Sequence, residues 1–332
     1  MAAILVANLG HTTSLSASAR HQLPAQLRHY CRRSHMVMMP EGPECKSLAE
    51  SLDLELGSAR YILQDVSLDS GRYKHGTPPK DIGKLRALLA TPTTPQTLQH
   101  VRSKGKFIYF SLSDCTLWST LGLTGGWTHN PSRSHVRLSL EFRPLETDHP
   151  SRRLYFYDMR NFGTFRVSLD RTELAAKLET LGHDWLDPAS RPSVEQFLAL
   201  AHKAARFKRP LAVFLMDQKK TSGIGNYVLS EVLYKCAIHP MSNCADVSAE
   251  GWRDIYSAVT DTLQESYAAQ SPLVSMSSYR DFKFQVYAQK TSPAGTAVVK
   301  VLGPHKRSIH YCPLKQIRFE PEAGAEAKAG AE

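Results

Sequence analysis

The chain has 332 residues, of which 42% are hydrophobic and 22% charged, an ordinary composition for a globular protein with room for two domains. Its formal net charge of +10 favours a polyanionic partner such as nucleic acid, although solubility alone also explains a basic chain. No apolar run approaches the roughly 18 residues that span a membrane, and the six scattered cysteines form no CxxC pair, which excludes a disulfide framework and a complete zinc site.

Residues 1–38 have a composition of their own. They contain no acidic residue and carry arginines at positions 20, 28, 32 and 33 among Ser, Ala and Leu, which is typical of an organelle-targeting presequence. Methionines at positions 36, 38 and 39 support a second hypothesis, a start codon assigned too far upstream. Both hypotheses exclude residues 1–38 from the folded part. The expected location is the nucleus, the mitochondrion or both, and an organelle is favoured if the segment is a presequence.

The next segment, MPEGPE, runs from Met39 to Glu44. If the active protein begins at Pro40, as we expect, that residue carries a free secondary amine, which is a strong nucleophile, with Glu41 and Glu44 beside it as proton donors and acceptors. Within a longer chain the same nitrogen has no proton and no basicity. An α-amino group titrates at about 7.7–8.0, so a useful fraction is neutral near pH 7. Taken alone, the segment also fits a simple turn before a helix.

The pattern along the chain predicts an α+β protein with several domains. A helix is expected over Glu44–Leu56, and the antiparallel strands of a β-sandwich follow at Lys106–Leu112, Leu117–Leu121, His135–Phe142, Leu154–Tyr157 and Thr164–Leu169. From about residue 175 the periodicity is helical, and it predicts helices over Ser193–Phe207, Leu211–Gln218, Asn226–Cys236 and Ser248–Ala269. Two more strands are expected, at Lys283–Ala288 and Ala297–Leu302.

These elements divide the chain into a β-sandwich domain over residues 39–172, a helical domain over 173–280, a hairpin over 281–317 and a disordered tail over 318–332. Between two of the predicted helices lie Asp217–Lys219 and the string SGIGNY. Its glycines, Gly223 and Gly225, precede a helix, so backbone N–H groups at the positive helix end predict a phosphate seat, with Asn226 and Lys219 as additional donors. An ordinary tight turn between helices is the alternative.

Residues 217–240 resemble the helix–two-turn–helix signature of the formamidopyrimidine-DNA glycosylase and endonuclease VIII family, and MPEGPE resembles its mature N-terminus. TLGLTGGW (120–127) and YDMRNFGTF (157–165) are similar to its β-domain motifs, so the resemblance covers roughly residues 39–317. It implies a bifunctional DNA glycosylase and abasic-site lyase that flips a damaged nucleotide out of double-stranded DNA. A monomer with no cofactor and no membrane partner is expected.

The resemblance also implies roles for single residues. Pro40 attacks the sugar C1′ and forms a Schiff base that β,δ-elimination resolves, Glu41 protonates the sugar ring oxygen and assists the eliminations, and Glu44 supports the site. Lys106 lies near the lesion and its flanking phosphate, although alone it would suit a solvated strand. The residues expected to bind DNA phosphates are His135, Arg160, Lys219, Asn226 and Arg307. A solvated surface is the alternative for each of these taken singly.

Three places depart from the family pattern. Residues 289–316 retain only Cys312 of the family's four finger cysteines, which predicts a zincless finger held by packing of Val298, Val299, Val301, Ile309 and Tyr311. The wedge that fills the hole left by the flipped base reads Leu123, Asn161 and Phe162, where the family has Met, Arg and Phe, so the hydrogen bonding of Asn161 to the orphaned base must differ, which leaves the opposite-base preference open. The segment 277–290 is too short for the loop that caps 8-oxoguanine, which favours formamidopyrimidines, hydantoins or oxidised pyrimidines as substrates.

Two rival functions are compatible with parts of the pattern. The first is a damaged-DNA-binding protein without chemistry, in which a retained extension blocks Pro40. The second is a ribosomal or RNA-associated protein, since helix–two-turn–helix elements occur there too. MPEGPE, Lys106, the NFG motif and Arg307 together argue against the second function, because a binding module has no use for a free proline amine.

Overall fold

A computed structural model of the protein describes residues 40–58, 60–90, 95–146, 149–270 and 282–317. The predictions for residues 1–38 and for the tail 318–332 lie outside the described residues, as does the proposed boundary at residues 280 and 281. Among the described residues no helix is long and apolar enough to cross a membrane.

The helices of two turns or more are α1 (Gly42–Leu56), α3 (Ile82–Ala90), α4 (Arg171–Glu179), α5 (Val194–Arg206), α7 (Asn226–Lys235) and α8 (Ala249–Gln270). Two helices are shorter, α2 (Arg72–His75) and α6 (Leu211–Leu215), and a 3₁₀ turn covers Cys244–Asp246. The strands are β1 (Tyr61–Leu68), β2 (Leu98–Lys104), β3 (Phe107–Leu112), β4 (Thr116–Thr120), β5 (Gly125–Thr128), β6 (Val136–Pro144), β7 (Arg152–Asp158), β8 (Thr164–Ser168), β9 (His183–Asp184), β10 (Thr221–Ser222), β11 (Val299–Leu302) and β12 (Ser308–Tyr311).

The N-terminal half is a sandwich of two antiparallel four-stranded sheets, with strand orders β1-β6-β7-β5 and β2-β3-β4-β8. Large side chains from both sheets form one core. Trp127 lies at its centre, with its ring 5.3 Å from Phe110, 5.1 Å from Phe156 and 6.0 Å from Phe165. Such aromatic pairs add stability beyond the area that they bury. The α+β class and the antiparallel sandwich are confirmed.

The helical half has a second core, in which Phe197 packs against Trp185, Phe214 and Trp252. Helix α5 begins where the sequence predicted, because Ser193 and Gln196 form a capping box. The β11–β12 hairpin adds the buried Ile309 to this core.

Two sequence predictions in the finger region are wrong. The segment Lys283–Ala288 is not a strand, because the buried Glu231 carboxylate of α7 accepts the backbone N–H groups of Gln285, Val286 and Tyr287 at 2.8–3.0 Å and leaves none of them for a sheet partner. Val299 does not hold the hairpin, because its side chain faces outward and is 40% exposed.

The start of α1, the β2–β3 turn and the loop before α7 meet backbone to backbone. The Gly42 N–H donates to the Gly223 carbonyl at 2.9 Å. Gly105 has φ +55°, and a Cβ at that position would lie 2.6 Å from the Gly223 nitrogen. Glycine is needed here for both reasons, since it alone adopts positive φ without strain and admits so close an approach. This junction positions the candidate site.

Candidate active site and nucleic-acid interface

The first turn of α1 carries two buried carboxylates directly after Pro40, which is itself buried. Glu41 is the N-cap residue of α1, and it forms a capping box with Glu44, whose Oε2 accepts the Glu41 backbone N–H at 2.9 Å. The exposed fractions of Glu41 and Glu44 are only 2% and 8%. Carboxylates are rarely buried so deeply unless they are paired or hydrogen-bonded, so their surroundings matter.

The Glu41 carboxylate lies at the N-terminus of α7. Its two oxygens accept the backbone N–H groups of Tyr227 at 2.8 Å and Val228 at 3.2 Å. Burial raises the pKa of Glu41 to about 7, although the charge of Lys106 and these two hydrogen bonds oppose the shift. A carboxyl group with such a pKa is present in both protonation states near neutral pH.

The same contacts limit the predicted phosphate seat. The N–H groups of Tyr227 and Val228, the second and third residues of α7, donate to the protein's own Glu41 carboxylate and are not open to a phosphate. The Gly223 N–H is also taken, by Gln218 Oε1 at 3.0 Å. A glycine-rich helix start predicts an anion site, and it does not distinguish an internal carboxylate from a phosphate.

Lys106 and Gly225 complete the immediate surroundings of Glu41. A Cβ built on Gly225 would lie 2.2 Å from both the Glu41 Cδ and the Lys106 Nζ, so these two side chains converge on the space beside that glycine. Burial lowers the pKa of Lys106, and the positive charge of Arg307 lowers it further, while Glu41 opposes both. Lys106 therefore belongs to the site and is not a solvated strand residue.

Glu44 is held from the helical half of the molecule. Tyr227 Oη lies 3.2 Å from each Glu44 oxygen, and Gln270 Nε2 donates to Oε1 at 2.6 Å. Burial raises the pKa of Glu44, and these hydrogen bonds oppose the shift. Sequence reasoning quoted Tyr227 only as part of SGIGNY and did not find Gln270, which lies at the end of a long helix with no local signal.

A basic cleft of about 620 Å³ opens between α6, the loop that follows it and the turn of the finger hairpin. Its cationic and titratable lining residues are Arg209, Asp217, Lys219, His305, Lys306 and Arg307. The structure thus brings the predicted Lys219 and Arg307 together and adds Arg209, which is paired with Asp217 at 3.2 Å. Asn226 faces the finger, since its Nδ2 donates to the Ser308 carbonyl at 2.5 Å and its Oδ1 lies 3.2 Å from His305 Nε2.

The three predicted wedge residues lie on two loops that one buried aspartate holds together. Asp158 Oδ1 accepts the Thr124 hydroxyl at 2.6 Å, next to Leu123, and Oδ2 accepts the Gly163 N–H at 2.6 Å, next to Phe162. Phe162 is 61% exposed, as a side chain that inserts into a base stack would be before binding. Asp158 stands in the quoted YDMRNFG string, but sequence reasoning gave it no role.

The remaining predicted contacts surround this wedge. Asn161 has φ +60°, a conformation that asparagine tolerates better than most other residues, which explains a short amide side chain at this position. Arg160 is exposed, and its N–H lies 3.1 Å from the Thr124 hydroxyl. His135 is also exposed, and its carbonyl accepts the Asp158 N–H at 3.0 Å. Within the described ranges, no hydrogen bond or ion pair joins this group to Glu41, Glu44 or Lys106.

The finger hairpin uses hydrogen bonds where the family pattern has metal ligands. Thr296 Oγ1 lies 3.0 Å from Cys312 Sγ and 2.6 Å from Ser292 Oγ, and the Cys312 N–H donates to Gln316 Oε1 at 2.8 Å. In the part of the chain that the structure describes, no three His, Cys, Asp or Glu side chains cluster so as to hold a metal ion.

Sequence comparison agrees with this geometry. The profile of the formamidopyrimidine-DNA glycosylase N-terminal domain matches residues 39–165, and that of the formamidopyrimidine-DNA glycosylase H2TH domain matches residues 186–278. Formamidopyrimidine-DNA glycosylase from Shouchella clausii is 30% identical over 298 residues, which cover 84% of this chain and all of that protein. The Chloroflexus aurantiacus enzyme is 30% identical over 295 residues, covering 85% and 99% of the two chains.

The fold has solved counterparts. The crystal structure of Lactococcus lactis formamidopyrimidine-DNA glycosylase bound non-covalently to DNA containing an abasic site matches with a TM-score of 0.66 at 21% identity, covering 84% of this chain and all of that one. The family resemblance drawn from the sequence is thereby confirmed. The chain belongs to the formamidopyrimidine-DNA glycosylase family, a family of DNA glycosylases that act in base excision repair.

Proposed function

We propose that the protein, when its chain begins at Pro40, is a bifunctional DNA glycosylase and abasic-site lyase that removes oxidised bases from double-stranded DNA. The observation that carries this proposal is the pair of groups next to Pro40. Glu41 is a buried acid whose pKa is about 7, and Lys106 is a lysine whose pKa is lowered beside it. Titratable groups perturbed in this way are typical of acid–base sites.

The proposed reaction uses Pro40 as nucleophile and Glu41 as acid. The Pro40 nitrogen forms a bond to C1′ as the bond to the base breaks, and the amine proton leaves with the base. Protonated Glu41 then gives its proton to the ring oxygen as the C1′–O4′ bond opens, which leaves an iminium on Pro40 and a carboxylate on Glu41. That carboxylate can accept the C2′ proton as the bond from C3′ to the 3′-phosphate oxygen breaks in β-elimination, and δ-elimination then breaks the bond from C5′ to the 5′-phosphate oxygen. Water hydrolyses the iminium, which releases the sugar remnant and frees the Pro40 amine.

The proposed DNA surface consists of two parts. The basic cleft with Lys219 and Arg307 takes backbone phosphates, and Phe162 with its neighbours replaces the flipped nucleotide in the stack. Cations that contact phosphates position the duplex without reading its sequence, which suits an enzyme that searches for lesions. Asn226 can contact a DNA phosphate through its side chain only if it gives up its hydrogen bonds to Ser308 and His305 of the finger.

The proposed substrates are formamidopyrimidines, hydantoins or oxidised pyrimidines in preference to 8-oxoguanine. Support comes from the short segment 277–290, of which residues 277–281 lie outside the described residues. Single-turnover rates on matched duplexes that differ only in the lesion measure this preference. Comparable rates for 8-oxoguanine and hydantoin would contradict it.

The experiment that tests the activity is borohydride trapping on a duplex with one abasic site, using protein that begins at Pro40 and protein that begins at Met1. A covalent adduct is expected only with the first protein, because an internal proline nitrogen cannot form an iminium. If both proteins bind the duplex and neither is trapped, the protein is instead a non-catalytic binder of damaged DNA.

A further inference from the structure

We propose that Tyr227 and Gln270 are positioning residues, which lock the Glu44 carboxylate and through it the peptide bond that follows the Pro40 nucleophile. This inference rests on the proposed function, because it assigns these two residues a part in the same reaction. Neither side chain is expected to touch the DNA. Their effect passes through Glu44.

The contacts form a closed chain from the helical half to Pro40. Tyr227 Oη lies 3.2 Å from both oxygens of Glu44, and Gln270 Nε2 lies 2.6 Å from Oε1. Glu44 Oε2 in turn accepts the backbone N–H of Glu41 at 2.9 Å, and that N–H belongs to the peptide between Pro40 and Glu41. With hydrogen bonds to both of its oxygens, the carboxylate cannot rotate without breaking one of them.

The donors are themselves fixed. Tyr227 is 3% exposed, its hydroxyl lies 3.0 Å from Ser266 Oγ, and its ring packs 5.2 Å from Phe284. Gln270 Nε2 also lies 3.0 Å from Ser266 Oγ, so α8 orients both donors through one serine. Packing of the ring alone would be served equally by phenylalanine. The hydroxyl adds only the hydrogen bonds to Glu44 and Ser266.

Glu41 and Glu44 are therefore held by the same residue in two different ways. The Tyr227 backbone N–H donates to Glu41, and the Tyr227 hydroxyl donates to Glu44. One residue at the start of α7 thus contacts both carboxylates, the proposed acid through its backbone and, through its side chain, the carboxylate that binds the first peptide of the chain. A misplacement of about 1 Å at a reacting group lowers a rate by about a hundredfold, so such a device matters to the chemistry.

The test is Tyr227→Phe in protein that begins at Pro40. We expect the single-turnover trapping rate on a saturating abasic-site duplex to fall about tenfold, the value expected for one lost hydrogen bond to a charged group, while the Kd for that duplex is unchanged. Gln270→Ala should lower the rate in the same direction. The matched control is Tyr267→Phe on α8, which removes a hydroxyl that donates to Glu50 on the outer part of α1 at 2.6 Å, and it should leave the rate unchanged.

A double-mutant cycle separates positioning from simple destabilisation. In a Glu44→Gln background, Tyr227→Phe should have little further effect, because the carboxylate that the hydroxyl orients is gone. Wild-type rates in both Tyr227→Phe and Gln270→Ala, or an equal loss in both backgrounds of the cycle, would overturn the inference. If the unsubstituted protein that begins at Pro40 gives no adduct, the proposed function fails instead, and the two outcomes are distinguishable.

Discussion

The proposed catalytic junction and the proposed DNA-facing rim of this molecule are built in opposite ways. At the junction Glu41 and Glu44 are almost completely buried, and each is held by hydrogen bonds from the helical half. At the rim Phe162 is 61% exposed, Arg160 and Lys219 are exposed as well, and the wedge loops are held from behind by Asp158 and by Arg72, which donates to the Gly163 carbonyl. In the proposed mechanism the reacting groups are therefore preorganised within the protein, whereas the contacts to DNA form on binding.

From this comparison we expect substitutions at the junction to lower the reaction rate, and substitutions at the rim to alter DNA binding or the flipping of the damaged nucleotide. The largest effect is expected for Glu41→Gln, which should lower excision of intact lesions at least a thousandfold and leave DNA binding unchanged, because the proposed acid is lost. Single-turnover excision and a binding titration measure the two quantities. Full glycosylase activity in this variant would remove Glu41 from its role.

The pH dependence follows from the same group. Since the pKa of Glu41 is raised to about 7, its acid form is present below that pH and is lost as the pH rises through it. Excision by the unsubstituted protein should therefore decline once the pH exceeds both this value and the value of about 8 at which the Pro40 amine becomes mostly neutral. The measurement is the single-turnover excision rate as a function of pH, which should fall on the alkaline side of the profile. A rate that rises steadily to pH 9 would contradict the role of Glu41 as the acid.

Gly225→Ala should have the next largest effect, a loss of about a hundredfold in trapping rate. The new methyl group would occupy the space of the Glu41 carboxyl and the Lys106 ammonium, 2.2 Å from each. The matched control is Gly83→Ala in α3, where a Cβ would meet no atom within 4 Å. Equal rates for the two variants would show that the junction tolerates displacement of its carboxylate.

Asp158→Asn tests the hydrogen bonds that hold the two wedge loops together. Asparagine has one acceptor oxygen where Asp158 has two, so the Thr124 hydroxyl, the Arg160 N–H and the Gly163 N–H can no longer all be accepted, and the common anchor of the two wedge loops should weaken. We expect excision from a fully paired lesion duplex to slow about tenfold, with little change in trapping on an abasic site, which needs less unstacking. Asp65→Asn on β1, an exposed carboxylate, is the control. An equal loss on both substrates would indicate damage to the fold and not to the wedge.

The smallest effect is expected for Arg307→Ala in the basic cleft. Binding should weaken on all sequences alike, and the slope of log K against log salt should fall by about one unit, as for the loss of one phosphate contact. Arg253→Ala, which removes an exposed arginine from α8, should leave the slope unchanged. An unaltered slope in the first variant would exclude Arg307 from the phosphate contacts.

The sequence was sufficient where one local rule decides the structure. The capping box at Ser193, the five strands predicted for the sandwich and the SGIGNY turn lie close to where they were predicted, because each depends on residues a few positions apart. It was insufficient where distant groups compete. Two N–H groups of α7 bind Glu41, which is 186 positions away from Tyr227, and are therefore not open to a phosphate. The N–H groups of residues 285–287 bind Glu231, so the predicted strand does not form.

The positioning residues were missed for the same reason. Gln270 reaches Glu44 across 226 positions, and no pattern around a glutamine at a helix end predicts such a contact. Asp158 was visible within a motif, but its role became clear only when two loops, each of which connects one sheet to the other, were seen to share its oxygens. Polar contacts between distant segments are settled by the assembled fold and not by local spacing.

The central claim is that the Pro40 nitrogen, and not the nearby amine of Lys106, forms the covalent bond to DNA. Lys106 is a real rival, because burial lowers its pKa toward the range in which an amine is nucleophilic. The direct measurement is peptide mapping by mass spectrometry of the borohydride-trapped adduct formed by protein that begins at Pro40. The account predicts the sugar remnant on the peptide whose first residue is Pro40. A remnant on the peptide that contains Lys106 would contradict it.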